Sequence, residues 1–164
     1  MPIMHKNGHF TSPTYGVCDV HVLRQRILTY LHADPQSSYR LVVGTDSQAK
    51  NGHATDFVTA LVIHRVGKGG IYFWKRIVEE KQFVLKQRMY QEALMSLTTG
   101  EEVVELLRKD GISKYDIEIH VDIGTVGETR EMIAEIVGMV RGSGFAVKTK
   151  PDAFGASKVA DRYT

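Results

Sequence analysis

Arg40-Leu41-Val42-Val43-Gly44-Thr45-Asp46 is an apolar, β-branched run that closes on an acid. It reads as a strand, and the two runs after it fix the fold class. Asn51-Gly52 is a turn signal, and the next run, Phe57 to Val66, has the same apolar and β-branched character. Gly67-Lys68-Gly69-Gly70 turns the chain again, and Ile71 to Val78 returns as a third strand. Three sequential strands joined by short turns pair antiparallel with their neighbours.

The period then changes. Leu85, Met89, Ala93 and Leu97 stand four apart, with Tyr90 and Leu94 widening the stripe into an amphipathic helix. Thr99 interrupts or restarts that helix, Val103, Val104, Leu106 and Leu107 continue it, and Gly111 stops it. A strand over Ile117 to Ile123, a helix over Thr129 to Val140, a short strand over Phe145 to Thr149 and a helix over Ala153 to Tyr163 complete the order. Strands joined through helices run parallel with right-handed crossovers. The expected architecture is therefore α/β, with a mixed five-stranded sheet and helices on both of its faces.

Upstream, Asp19 is placed to cap a helix carried by Val20, Leu23, Ile27, Tyr30 and Leu31, and Asp34-Pro35 ends it. Residues 1–18 are rich in Gly, His, Pro, Ser and Thr and read as a flexible leader. The rest, 19–164, reads as one domain: an extra N-terminal helix over 19–34 and a core over 39–164. His5 and His9 are four apart, but so Gly-rich and polar a stretch does not support a helical zinc site.

Composition narrows the function less. Hydrophobic residues make up 43% and charged residues 24% of the 164, which is ordinary for a globular protein. A formal net charge of only +2 gives no global argument for nucleic-acid binding, so any such argument must be local. Cys18 is the single cysteine, which leaves no internal disulfide and no C-x-x-C pair. The early residues lack the apolar core of a signal peptide, and the longest apolar runs are too short to span a bilayer. A cytoplasmic location is the expectation, and oligomeric state is open.

Two acids end strands of this scheme, Asp46 the first and Asp122 the fourth. Carboxyl ends of parallel strands are where α/β sheets bind ligands. If those strands are neighbours, the two carboxylates repel unless one is protonated or a hard divalent cation sits between them. Turn-capping acids at the sheet edge are the plainer alternative.

Val43-Gly44-Thr45-Asp46-Ser47-Gln48, His120-Val121-Asp122-Ile123-Gly124 and Ala156-Ser157-Lys158-Val159-Ala160-Asp161, taken in this order along the chain, resemble motifs of the ribonuclease H-like superfamily, and more narrowly of its YkuK-type bacterial family. The resemblance implies a ribonuclease H-like fold over 39–164. It also implies a metal site of four acids, each catalytic and metal-binding: Asp46 on the first strand, Glu92 in Met89-Tyr90-Gln91-Glu92-Ala93-Leu94, Asp122 after the fourth strand and Asp161 on the last helix. Magnesium or manganese is the implied cofactor, and Ser47, Gln48, His120, Arg88 and Lys158 are candidates to support the ion or touch substrate.

Each assignment has a plainer counterpart. Glu92 lies at the border of its apolar stripe and could be a solvated partner of Arg88. Asp161 faces away from the stripe of Ala156, Val159, Ala160 and Tyr163, and Asp152, which reads first as a helix cap, could replace it. His120 shares a strand face with Asp122 but could be a hydrogen-bonded core histidine. Lys75, Arg76, Lys81, Lys86 and Arg88, with Lys148, Lys150, Lys158 and Arg162, suit a polyanion passing bound metals, or are scattered solubilising charge.

Three functions are compatible with these residues. The first is a two-metal nuclease hydrolysing RNA, RNA–DNA hybrid or DNA. The second is a nucleic-acid-binding or scaffold protein of the same fold without turnover. The third is a phosphotransferase, because Asp122 to Gly127 resembles the Asp-x-Gly-Thr phosphate loop of actin-like kinases; that loop joins two strands, whereas here a helix pattern begins at Thr129.

Overall fold

The computed structural model describes residues 9–124, 127, 130–153 and 155–164, without the side chains of 155–157 and 161. Its strands are β1 (Phe10–Ser12), β2 (Gly16–Cys18), β3 (Tyr39–Lys50), β4 (Ala54–Arg65), β5 (Gly70–Glu79), β6 (Ile117–His120) and β7 (Ala146–Lys148). Its helices are α1 (Val20–Ala33), α2 (Leu85–Leu107), α3 (Ile133–Gly142) and α4 (Gly155–Tyr163). One mixed sheet runs in the order β2-β1-β5-β4-β3-β6-β7. β3, β4 and β5 are antiparallel neighbours, and β6 and β7 add in parallel beside β3, as expected.

The sheet has seven strands rather than five. The two extra ones lie in the stretch expected to be a flexible leader, which from Phe10 onward is ordered. β1 and β2 form a small hairpin that joins the sheet through Thr11 opposite Trp74. Burial of the Phe10 and Cys18 side chains, 3% and 1% exposed, supplies the driving force. Residues 1–8, with His5, lie outside the described residues.

The β3–β4 ladder is longer than its sequence pattern. It pairs Tyr39 with Arg65 at one end and Lys50 with Ala54 at the other. Asn51 and Gly52 both take positive φ, 51° and 74°, the backbone a tight hairpin turn demands. The ladder thus runs past Asp46, which pairs with Val58 inside β3 instead of ending it.

Alternation along β3 assigns its two faces. Leu41 and Val43 join the larger core with Leu23 and Ile27 of α1, Met89, Ala93 and Leu97 of α2, and Ile136 and Val140 of α3. Val42 points the other way, into a smaller cluster with Val58, Ala60 and Ala160 of α4. Three helices therefore cover one face and α4 covers the other. Asp19 caps α1 as expected, accepting a hydrogen bond from the Val22 amide at 2.8 Å.

α2 is one unbroken helix of 23 residues, and Thr99 does not interrupt it. At Gly100 it crosses close to the sheet: a Cβ there would lie 3.2 Å from both Ile119 Cδ1 and Phe145 Cζ. After β6 the next described elements are a 3₁₀ turn, Arg130–Met132, and then α3, with no strand to make the kinase-type hairpin. Thr125, Val126 and Thr129 lie outside the described residues.

Candidate functional site

β3 and β6 pair in parallel with Leu41 beside Ile117 and Gly44 beside His120. Two residues further along the same register stand Asp46 and Asp122. The β3–β6 register ends at Gly44 beside His120, while beyond β6 the chain keeps its pairing with the β7 side, since Val121 N donates to Lys148 O and Lys150 N to Ile123 O. Two carboxylates from adjacent parallel strands thus occupy one end of the sheet.

Glu92 enters from above, on α2. It is only 5% exposed, so its reading as a solvated surface partner of Arg88 is corrected. Four-residue spacing put it at the edge of the apolar stripe; the close passage of α2 over the sheet takes it inside. The Ser47 hydroxyl donates to Glu92 Oε2. Burial pushes the Glu92 carboxyl up to about 8, and the neighbouring Asp46 and Asp122 charges add to the rise; the Ser47 hydrogen bond and the Arg88 charge oppose it. Glu92 therefore feels both aspartates, although Ser47 and Asp46 point to opposite faces of β3.

Protein groups already engage the two aspartates. Lys150 Nζ lies 3.1 Å from Asp122 Oδ1. Thr164 Oγ1 donates to Asp46 Oδ2 at 2.8 Å. The sequence groups Lys150 with cations that suit a polyanion or are scattered solubilising charge, and gives Thr164 no role. The one available signal was register, because Lys150 follows β7 as Asp122 follows β6.

A narrow cleft beside α2 is lined by Thr45, Glu92, Ser96, His120 and Asp122. His120 is 6% exposed and its Nε2 lies 3.1 Å from Glu118 Oε1. Burial lowers its pKa, and Glu118 opposes this. Its Nδ1 is buried without a hydrogen-bond partner, which a fully satisfied core histidine would not leave. Arg88 Nε is likewise buried without a partner. Gln48 is exposed and accepts from Lys50 Nζ at 3.2 Å, and Lys158 is exposed on α4. Asp152 sits in a turn after Thr149 and lies outside α4, so it is not that helix's cap. Asp161 falls within α4, and its side chain lies outside the described residues.

The donor chemistry fits a hard divalent cation: carboxylate oxygens from Asp46, Asp122 and Glu92, held where their charges oppose one another. Among the described residues, however, no three His, Cys, Asp or Glu side chains converge as a formed metal site would require.

A family model described as "Ribonuclease H-like" matches residues 22–164. The chain belongs to the ribonuclease H-like family. Within it, the uncharacterized protein YkuK of Bacillus subtilis is 33% identical over 151 residues, covering 85% of this chain and 87% of its own length. No solved structure matches. The mixed sheet and its flanking helices are those of the ribonuclease H-like fold, a nuclease-type fold that generally binds nucleic acid. No described helix is long and apolar enough to cross a membrane.

Proposed function

We propose that this ribonuclease H-like protein hydrolyses phosphodiester bonds of RNA, RNA–DNA hybrid or DNA, dependent on magnesium or manganese. The observation that carries this reading is that Asp46 on β3 and Asp122, two residues past the end of the adjacent parallel strand β6, both raise the pKa of the buried Glu92. The Asp46 and Asp122 charges help keep Glu92 protonated, and a divalent cation bound among the three would offset that repulsion.

Asp46 and Asp122 would be the central ligands, with Glu92 and Asp161 flanking them. The metal, when bound, activates water and offsets charge on the phosphate. The chain's own part is to hold the carboxylates in position. Ser47 fixes the Glu92 carboxyl, the pairing of β3 with β6 brings the two aspartates to one end of these strands, and Lys150 would yield its place on Asp122 to a bound cation.

A second reading, nucleic-acid binding without turnover, is favoured by the Lys150 and Thr164 contacts, which already satisfy the aspartates without an ion. Incubating labelled RNA, hybrid and DNA with magnesium or manganese separates the two. Cleavage lost in both Asp46→Asn and Asp122→Asn supports the nuclease, whereas binding of all three substrates without cleavage supports the binding protein. Cleavage that persists in both variants overturns the site.

A further inference from the structure

α2 descends along the sheet from its acid end. Glu92 meets Ser47, Ser96 meets Thr45, and Gly100 crosses over Ile119 and Phe145. Each turn back towards Leu85 is therefore a step outward, towards the end of the sheet where Asp46 and Asp122 stand. Arg88 lies one such turn out from Glu92, about 6 Å along the helix axis and on the same side of it. Helix side chains lean towards the N-terminus, which carries the guanidinium further out again.

The fold leaves this arginine unsatisfied. It is half-buried, its Nε is buried with no hydrogen-bond partner, and among the described residues it forms no ion pair. A partner is at hand, because the Glu92 carboxyl is near enough to feel the Arg88 charge. Glu92 is instead held by Ser47. If Arg88 served only to offset the Glu92 charge, a direct ion pair would do so better. The other cations beside the acids are engaged, Lys150 by Asp122, and Lys50 by Gln48 and the Thr164 carbonyl. A buried donor without an acceptor costs stability, and an acceptor from outside the chain would restore it.

The chemistry of that acceptor follows from the donor and its surroundings. A planar guanidinium matches an anion with two oxygens side by side. Close to three acids, a small free anion would be opposed by the aspartate charges. A phosphodiester within a strand is held there by the rest of the strand as well.

We propose that Arg88 grips one phosphodiester of the substrate strand, the linkage next to the one at the acids, so that the site takes a polymer rather than a single nucleotide. This rests on reading the acids as a nucleic-acid site, but not on turnover.

The test is binding to the metal-free protein at low salt, using whichever of labelled RNA, hybrid and DNA binds tightest. Cleavage plays no part in the readout, so the nuclease reading and this one fail separately. Arg88→Met should weaken binding about tenfold and lower the slope of log affinity against log salt by about one, as expected for one lost phosphate contact. Arg88→Lys should keep the slope but regain only part of the affinity, since an ammonium is a point charge without the fork. On the same strand with its linkages neutralised as methylphosphonates, the Arg88→Met effect should vanish. The metal-free Tm of Arg88→Met should stay level or rise, because the variant loses no polar contact within the fold. Lys86, exposed on the same helix, provides the comparison: Lys86→Met should cost less than a third of the Arg88→Met loss. The proposal is overturned if the wild type binds no strand, if Arg88→Met leaves affinity and slope unchanged, or if its effect persists on the neutral backbone. It is equally overturned if Lys86→Met costs as much, or if the weaker binding of Arg88→Met accompanies a fall in Tm.

Discussion

The hydroxyl of Ser47 donates to the carboxyl of Glu92, one residue along β3 from Asp46. That contact ties α2 to the strand that carries the first aspartate. It also holds a buried acid whose ionised form the site resists, since burial and the two aspartates all favour the protonated carboxyl.

Stability should therefore depend on pH in a definite direction. Glu92 titrates near its ordinary 4.5 when unfolded and near 8 when folded. Between those values the folded state holds a proton that the unfolded state has lost, so the contribution of Glu92 to stability is full below about 4.5 and falls as pH rises towards 8. An upper bound on that loss is on the order of 5 kcal/mol. Thermal melts in chelator from about pH 5 to about pH 8.5 should show Tm falling across the window, and Glu92→Gln should flatten the fall. A wild type and variant with parallel profiles would mean that Glu92 ionises freely.

His120 works at the acid end with the opposite sign. Its folded pKa is lowered by burial, so the neutral ring contributes stability that is present above the ordinary value of 6.5 and lost as pH falls below it. His120→Asn should weaken acid denaturation below pH 6.5 while leaving the alkaline limb to Glu92. A variant that loses stability equally at every pH would make His120 a packing residue alone.

What the sequence makes legible here is what is local. The β3–β4–β5 hairpins arise from Asn51-Gly52 and the glycine-rich turn at 67–70, and the positive φ at Gly67 and Gly69 bears out the second turn as Asn51 and Gly52 do the first. The amphipathic stripe of α2 is equally readable. β1 and β2 are not, because three-residue strands carry no period and owe their place to distant partners, Thr11 to Trp74. Of the site, Asp46 and Asp122 could be picked out from position, but the depth of Glu92 and the pairing of Lys150 with Asp122 arise from contacts that no local pattern encodes.

Gly100 tests how closely α2 must approach the sheet. Alanine gains about 1 kcal/mol of helix propensity there, but its Cβ presses on Ile119 and Phe145 at 3.2 Å. Gly100→Ala should come out within about 1 kcal/mol of neutral, whereas Gly100→Val should cost about 2 kcal/mol or more through overpacking. Urea unfolding at equal m-values reads the difference, and a neutral valine would show that α2 can lift.

Asp46→Asn separates function from folding. It removes a charge that raises the cost of ionising Glu92, so metal-free Tm should stay level or rise, while nuclease activity should fall by at least the factor of about a hundred typical of losing a preorganised charge-stabilising group. The measurement pairs melts in chelator with cleavage of labelled RNA, hybrid and DNA. Unfolding of the metal-free variant would make Asp46 a structural acid, held for its hydrogen bond from Thr164.

Lys150 places its ammonium beside Asp122, where a divalent ion would need to sit. The pair is partly solvated, with side chains 56% and 34% exposed, so breaking it costs no more than about 1 kcal/mol. Magnesium or manganese should therefore raise the Tm of the wild type, since an ion bound only by the native state stabilises it, by about 2.7 kcal/mol at a hundredfold excess over Kd. The gain should be larger at about pH 8 than at about pH 6, because at low pH the ion must also displace the Glu92 proton. Asp122→Asn should abolish most of it. Lys150→Met removes the competing cation, so the metal concentration giving half the Tm rise should fall by up to about fivefold, the equivalent of about 1 kcal/mol, with metal-free Tm almost unchanged. A midpoint that moves upward instead would mean that Lys150 holds Asp122 in its binding pose, and a metal-induced rise that survives Asp122→Asn would put the ion elsewhere on the protein.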